Sequence, residues 1–208
     1  MDSIIFDLDG TLWDARENVC ESWNVVLARK WPELGQLTVE QFSAQMGKMM
    51  PDIGRSLFPQ LTPEQSNEVV DTCGLFENEY VAEHGGVLYE DLEAVLAELS
   101  QKYRLFVVSN CQSGYIEAFM TAHNMKKYFT DIECFGNTLL PKADNIRLVV
   151  ERNGLVAPVY VGDTAMDASS AAEAGVPFIW ASYGYGDVTE YAARAERPAD
   201  LPGICAGM

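Results

Sequence analysis

The chain has 208 residues, which is enough for one large domain or for one domain with a small insertion. Its 48% hydrophobic and 22% charged residues are typical of a globular protein and exclude a disordered or fibrous one. Thirty-one acidic against fourteen basic residues give a formal net charge of −17, which repels phosphate backbones and anionic membranes. We therefore expect no nucleic-acid partner and no membrane partner.

The cysteines and the N-terminal residues point to a cellular compartment. The five cysteines are odd in number and include no CxxC pair, which favours reduced thiols over a disulfide framework or a zinc site. No apolar run reaches the ~20 residues that a bilayer span needs, and the first residues are too acidic for a signal peptide. The sequence thus predicts a cytoplasmic protein.

Short apolar runs that end in polar residues are typical of buried strands. Five such runs occupy residues 3–8, 104–108, 131–135, 159–161 and 177–181. Apolar stripes at helical spacing lie between them, at residues 92–99, 116–120, 146–150 and 165–174. This alternation predicts an α/β fold class, a Rossmann-like parallel sheet with helices on both faces.

Residues 15–84 interrupt the alternation. They contain no credible strand, and three apolar stripes at helical spacing alternate with loops that contain proline or glycine. Residues 47–55 are interpreted as one of these loops. The sequence therefore predicts an all-helical domain at residues 15–84, inserted into a catalytic core made of residues 1–14 and 85–208.

Acidic residues follow two of the predicted strands. Asp7 and Asp9 lie two positions apart at the end of the first run, where Gly10 lets the backbone turn sharply. Asp163 and Asp167 lie four positions apart at the start of a helix. Either pair alone is also typical of a solvated turn or of the acids that begin a helix. Four carboxylates at one sheet edge, however, predict a hard divalent cation, above all Mg²⁺.

Groups suited to an anion follow other strands. Ser109 ends the second apolar run, with Asn110 after it, and Lys142 begins a helix, where the dipole disfavours a cation. A hydroxyl, an ammonium and helix N-termini suit a phosphoryl group. The alternative for Ser109 is a helix-capping turn and that for Lys142 is a solvated surface lysine.

These residues occur in the order of a known family's motifs. The segment Asp7–Asp14 resembles the first motif of the haloacid dehalogenase-like hydrolases, in their phosphoglycolate-phosphatase-like branch. Ser109, Lys142 and the segment Gly162–Asp167 match the second, third and fourth motifs. The resemblance covers the whole chain, because the helical insertion lies where this branch carries its helical (C1-type) cap domain.

The resemblance implies a phosphatase that acts on a small phosphorylated metabolite. Asp7 would be the nucleophile that forms an aspartyl-phosphate, and Asp9 would act as general acid and base. Mg²⁺ would be bound by the Asp7 carboxylate, the Asp9 backbone carbonyl and Asp163. The dehalogenases of the superfamily lack the second acid, since a halide needs no proton, so Asp9 favours phosphate esters.

Further roles follow from the same resemblance. The residues expected to bind the phosphoryl group are Ser109, Asn110 and Lys142. The residues expected to support the site are Gly10, Thr11 and Asp167. In the insertion, Lys48 and Arg55 could meet a substrate carboxylate or a second phosphate, although a solvated surface is typical of either one alone. The segment Tyr183–Gly186 either lines the site or is a connecting turn.

Two other functions are compatible with the motifs. A phosphomutase would return the phosphoryl group to a sugar, and a binding protein on the same scaffold would hold a phosphometabolite without turnover. The intact acids Asp7 and Asp9 and the intact Lys142 favour an enzyme over the binding protein. Whether the protein is a monomer or a dimer, and which ester is the substrate, stay open at this stage.

Overall fold

The computed structural model describes residues 1–208. The strands are β1 (Ser3–Phe6), β2 (Trp13–Asp14), β3 (Val87–Leu88), β4 (Arg104–Ser109), β5 (Phe129–Cys134), β6 (Pro158–Gly162), β7 (Phe178–Ala181) and β8 (Ala193–Ala195). The α-helices are α1 (Arg16–Lys30), α2 (Val39–Ser43), α3 (Met50–Leu57), α4 (Pro63–His84), α5 (Leu92–Leu99), α6 (Tyr115–His123), α7 (Phe135–Thr138), α8 (Lys142–Asn153), α9 (Ala165–Ala174) and α10 (Leu201–Ala206).

The main sheet has six parallel strands in the order β5-β4-β1-β6-β7-β8. Alternate residues of β1 enter different apolar clusters, Ile4 and Phe6 the larger one and Ile5 the smaller one. Both faces of the sheet are therefore covered, which is why its central strands are continuous apolar runs. The predicted α/β architecture with helices on both faces is confirmed.

Several strand boundaries differ from the sequence-based expectation. β1 ends at Phe6 because the chain turns tightly afterwards, with the amide of Leu12 donating to the carbonyl of Leu8 at 2.8 Å. β5 spans residues 129–134, and Phe135 begins α7 instead of ending the strand. The three-residue edge strand β8 was not expected, because its pattern is too short to identify and only pairing with β7 defines it.

The insertion is all-helical, as predicted, but one of its expected loops is a helix. α3 begins at Met50 and includes the rest of the 47–55 stretch, with Pro51 in its first turn, where no backbone donor is needed. Gly54 lies inside α3, at a point where α4 packs close to it. A Cβ atom at this position would come within 2.6 Å of Cγ2 of Val70 on α4. Close helix packing, not a turn, explains this glycine.

The insertion is connected to the sheet at both of its ends. β2 and β3 flank it and pair antiparallel, and α4 packs against α6 of the core. Trp13 is fully buried against Phe119 and Tyr115 of α6.

None of the helices combines the length and the apolar character that a membrane span requires.

Candidate active site

The predicted site residues lie at one edge of the sheet. Asp7 directly follows β1, Ser109 ends β4 and Asp163 directly follows β6. β1 pairs with both β4 and β6, and all three strands are parallel, so their carboxyl ends are neighbours. Residues that are far apart in sequence therefore meet where open parallel sheets bind ligands.

Three of the four predicted carboxylates converge. Oxygens of Asp7, Asp163 and Asp167 lie within 4.8 Å of one another, and all three residues are buried. The carboxylate of Asp9 is not part of this group, which corrects the expectation of four converging acids. The alternation of a strand does not extend to residue 9, because the strand has ended and the chain turns at Gly10, where φ is +80°.

Lys142 is the cation that lies among these acids. Its buried ammonium is 3.0 Å from Oδ1 of Asp7 and 2.6 Å from Oδ1 of Asp167. Burial opposes its charge, but Asp167 and Asp7 raise the pKa of Lys142 well above its usual range. The lysine is therefore a fixed positive charge at the start of α8.

One ammonium does not neutralise three buried carboxyl groups. Burial, and then repulsion from Asp167, raise the pKa of Asp7 to about 7, although Lys142 lowers it. Burial and the charges of Asp167 and Asp7 raise the pKa of Asp163 to about 8. The ionised forms of both groups thus lack positive charge, and a divalent cation with oxygen ligands would supply it. The donor set fits Mg²⁺.

Hydrogen bonds fix the carboxylate of Asp163. Oγ1 of Thr11 donates to its Oδ1 at 3.3 Å, and the backbone N–H of Tyr185 donates to its Oδ2 at 2.8 Å. Tyr183 hydroxyl donates to the carbonyl of Thr11 at 3.0 Å. The segment Tyr183–Gly186 is therefore more than a connecting turn, because it contacts Asp163 directly and Thr11 beside it.

Asp167 is committed to protein donors. Its Oδ1 accepts from Lys142, and its Oδ2 accepts from the backbone N–H and the Oγ1 of Thr164 at 2.9 and 2.6 Å. Burial works against the charge, but Lys142 and Thr164 lower the pKa of Asp167 below its ordinary value. The spacing of Asp163 and Asp167 suggested that both lie at the start of a helix. Thr164 is the N-cap of α9, however, so Asp163 lies before the helix.

Asp9 has a different environment. Its Oδ1 accepts hydrogen bonds from Nε1 of Trp13 at 2.9 Å and from the hydroxyl of Tyr115 at 3.0 Å, and its Oδ2 accepts none. Burial and the neighbouring Asp7 raise the pKa of Asp9 to about 7. A carboxyl group with that pKa can release and accept a proton near neutral pH.

A cavity of about 50 Å³ lies between the sheet edge and the insertion. The predicted site residues that line it are Asp7, Asp9, Ser109, Asn110, Lys142 and Lys48. Asn110 donates from Nδ2 to the carbonyl of Gly47 in the insertion at 2.8 Å. Arg55 is not among the lining residues, because it lies on the outer surface of α3 in an ion pair with Asp52.

Two ionisable groups in the cavity wall, Glu77 and Tyr115, are not among the residues predicted from the sequence. Glu77 of α4 is buried there, at the helical spacing of Cys73 and Val81 on the apolar face. An acid at a core position of an otherwise apolar stripe was the signal that could have identified it. Cys111 also lines the cavity, but burial raises the pKa of its thiol well above the usual value, so it is not an activated nucleophile.

The sequence matches the haloacid dehalogenase-like hydrolase family over residues 4–181. The chain belongs to this family, and it is an enzyme of the hydrolase class, as the motifs predicted. Phosphoglycolate phosphatases are among its relatives. The one from Rhodobacter capsulatus is 28% identical, in an alignment that covers 99% of this chain and 97% of the relative. The plasmid-encoded one from Cupriavidus necator is 29% identical over 194 residues, which cover 88% and 81%.

Solved structures show the same fold. A haloacid dehalogenase-like family hydrolase from Streptococcus pneumoniae superposes with a TM-score of 0.83 at 20% sequence identity. The superposition covers 99% of this chain and 98% of that protein. At this identity the likeness defines the architecture and not the chemistry of the site.

Proposed function

We propose that this hydrolase is a Mg²⁺-dependent phosphatase that cleaves small phosphorylated metabolites through an aspartyl-phosphate on Asp7. The observation that carries the proposal is the buried group of Asp7, Asp163 and Asp167, in which the ammonium of Lys142 contacts Asp7 and Asp167. Asp7 and Lys142 line the same cavity as Ser109 and Asp9. The names of the phosphoglycolate phosphatase relatives support the same reaction class.

The first half-reaction forms the covalent intermediate. A carboxylate oxygen of Asp7 attacks phosphorus, and the bond between phosphorus and the ester oxygen breaks. Asp9 donates its proton to the departing alkoxide, so the alcohol leaves neutral. The raised pKa of Asp9, about 7, keeps a fraction of this group protonated at neutral pH for that step.

The second half-reaction regenerates the enzyme. Asp9, now ionised, removes a proton from water as the water oxygen attacks phosphorus. The bond between phosphorus and the Asp7 carboxylate breaks, and inorganic phosphate leaves. One water molecule is consumed per ester, and both acids return to their starting protonation states.

Positive charge and hydrogen-bond donors hold the phosphoryl oxygens. Lys142 orients Asp7 from 3.0 Å and presents its charge to the same region, and Ser109 and the loop at Asn110 border the cavity. Asp7, Asp163 and the backbone carbonyl of Asp9 would hold Mg²⁺. When bound, Mg²⁺ offsets the charge of the phosphoryl oxygens and so permits an anionic nucleophile to approach. Asp167, Thr11 and Gly10 keep Lys142 and Asp163 in place.

Residues 15–84 are proposed to be the cap domain of this site, and residues 1–14 with 85–208 its catalytic core. The cavity lies between them, and its polar groups come from both parts. A closed cap excludes water from the reacting atoms and strengthens the electrostatic interactions there. The bond from Asn110 to the carbonyl of Gly47 joins the cap to the phosphate-binding loop.

The test is a panel of phosphorylated metabolites incubated with Mg²⁺, with free phosphate as the readout. The native protein should release phosphate, and EDTA or the Asp7→Asn variant should abolish the release. Asp144→Asn is the matched control, because this acid lies in the first turn of α8, faces solvent and pairs with Arg147. Phosphate release by Asp7→Asn at near-native rates would refute the proposal. Isomerisation of a hexose 1-phosphate without release would indicate a mutase, and binding without turnover a binding protein.

A further inference from the structure

Glu77 is a buried acid in the cavity wall that the proposed reaction does not use. It lies on α4 of the insertion and is 4% exposed. Nε1 of Trp23 donates a hydrogen bond to its Oε2, and Nε2 of Gln112 donates to its Oε1 at 3.0 Å. No lysine, arginine or histidine forms an ion pair with it; every ion pair of the chain joins other residues. The acid is therefore held in place by neutral donors alone.

The position is electrostatically costly in the absence of a ligand. Burial raises the pKa of Glu77 to about 7, although the hydrogen bonds from Trp23 and Gln112 lower it. Each carboxylate oxygen accepts one protein hydrogen bond and has capacity for another. A positively charged or hydrogen-bond-donating group in the cavity would use that capacity and stabilise the ionised form.

Asn110, which also lines the cavity, has a side-chain acceptor without a partner. Oδ1 of Asn110 is buried without any hydrogen bond, while its Nδ2 donates to the carbonyl of Gly47. Because that bond fixes which end of the amide is the oxygen, the orphaned atom is an acceptor. A buried acceptor without a donor is costly, so both groups are matched by a ligand that carries donors.

The only cation that the insertion contributes to the cavity is weaker in this respect. Lys48 is only partly buried, and its ammonium already donates to Oε1 of Gln45 at 2.9 Å. Solvent screens its charge more than it screens a buried carboxylate. In its ionised form Glu77 would therefore oppose a second anionic group on a substrate, and the screened charge of Lys48 would offset that repulsion only in part.

We infer that Glu77 is a specificity-determining residue that selects phosphate esters whose leaving group carries a hydroxyl or ammonium donor and disfavours those whose leaving group carries a carboxylate. This inference rests on the proposed function. It also separates this chain from the substrate that its phosphoglycolate phosphatase relatives are named for, because the leaving group of phosphoglycolate is anionic.

Four esters that differ at one carbon substituent test the inference: ethyl, 2-hydroxyethyl, 2-aminoethyl and carboxymethyl phosphate, the last being 2-phosphoglycolate. The kcat/KM of each is measured with Mg²⁺ for the native chain, Glu77→Gln and Glu77→Asp. The native enzyme should prefer the hydroxyl and amine esters over the carboxylate. The two donor-bearing esters distinguish selection by hydrogen bonding from selection by positive charge.

Removal of the charge should change the ranking and not merely the rate. In Glu77→Gln, kcat/KM for the carboxylate ester relative to the ethyl ester should rise about tenfold, chiefly through KM, and that for the amine ester should fall. Glu77→Asp keeps the charge and should keep the native order, which controls for disturbed packing. Thermal melting of both variants reports their folding.

Three results would overturn the inference. They are an unchanged ranking in Glu77→Gln, an equal loss on all four esters in both variants, and a native preference for 2-phosphoglycolate. Each of them leaves the proposed phosphatase intact, since phosphate is still released. If the native chain released phosphate from no ester at all, the proposed function itself would fail and the inference with it.

Discussion

A methyl group at position 10 would collide with the carboxylate of Asp163. Gly10 has φ +80°, and an ideal Cβ atom there would lie 2.6 Å from Cγ of Asp163, and closer still to its Oδ2. The same Cβ would lie 2.8 Å from Cδ2 of Tyr185. Gly10→Ala therefore forces the proposed metal ligand away from the position that Thr11 and Tyr185 define.

The magnitude of the effect follows from two contributions. Left-handed backbone costs an alanine roughly 1–2 kcal/mol, which for a chain of this length lowers Tm by a few degrees. In addition, Asp163 must retreat by about 1 Å before the contact becomes an ordinary one, and a displacement of that size in a catalytic site costs about 10²-fold in rate. We expect Gly10→Ala to lose about two orders of magnitude in kcat/KM and to need more Mg²⁺ for half-maximal activity.

Gly175 supplies the matched control. It ends α9 with φ +74°, almost the angle of Gly10, but no atom lies within 4 Å of its ideal Cβ. Gly175→Ala should thus show the same few degrees of lost Tm and native turnover. The assay is phosphate release over a Mg²⁺ titration, combined with thermal melting. Native kcat/KM in Gly10→Ala, or an equal loss of activity in Gly175→Ala, would refute the steric argument.

Three further predictions concern charge. Lys142→Met should lower the free energy of unfolding by about 3–5 kcal/mol, because buried carboxylates lose their cation. Adding Asp167→Asn should restore part of the stability but no activity. Chemical denaturation of the single and double variants measures this, and simple addition of the two losses would contradict it. The metal-free protein should melt at a lower temperature at pH 8.0 than at pH 5.5. In the folded protein Asp9 holds its proton up to a pKa of about 7, whereas in the unfolded chain it releases the proton near pH 4. Stability therefore falls as the pH rises between those two values. Mg²⁺ should raise Tm more at the higher pH, since it binds ionised carboxylates, and a Tm independent of both pH and Mg²⁺ would argue against the site. Lys48→Ala should reduce kcat/KM for esters with anionic leaving groups more than for p-nitrophenyl phosphate. Arg55→Ala, which alters the outer surface of α3, should change neither value. A uniform loss in Lys48→Ala would assign that lysine to stability.

The local patterns of the chain were sufficient for the architecture. Apolar runs of strand length, separated by stripes of helical period, predicted the parallel sheet because strands covered on both faces must be apolar throughout. They failed where tertiary contacts define an element. Position 54 is a glycine inside a helix because α4 packs close to it, and β8 is a strand because β7 lies beside it.

The site shows the same division. Because parallel neighbouring strands end at one edge, the positions of Asp7, Ser109 and Asp163 in the sequence were enough to predict that they are close together. The sequence could not show which way the carboxylate of Asp9 turns, since that depends on donors from Trp13 and from Tyr115, 106 residues away along the chain.

Short-range patterns determined the class of fold and the edge of the sheet at which the site lies. These patterns are the apolar run, the acidic turn and the amphipathic helix, in their order along the chain. The sequence could reveal them because each depends only on neighbouring residues. The tertiary structure alone decided which acids share a cation, which lysine of the insertion reaches the cavity, and that Glu77 is buried in its wall. Those outcomes depend on distances between residues that no local pattern relates, and electrostatic interactions are governed by such distances and by burial.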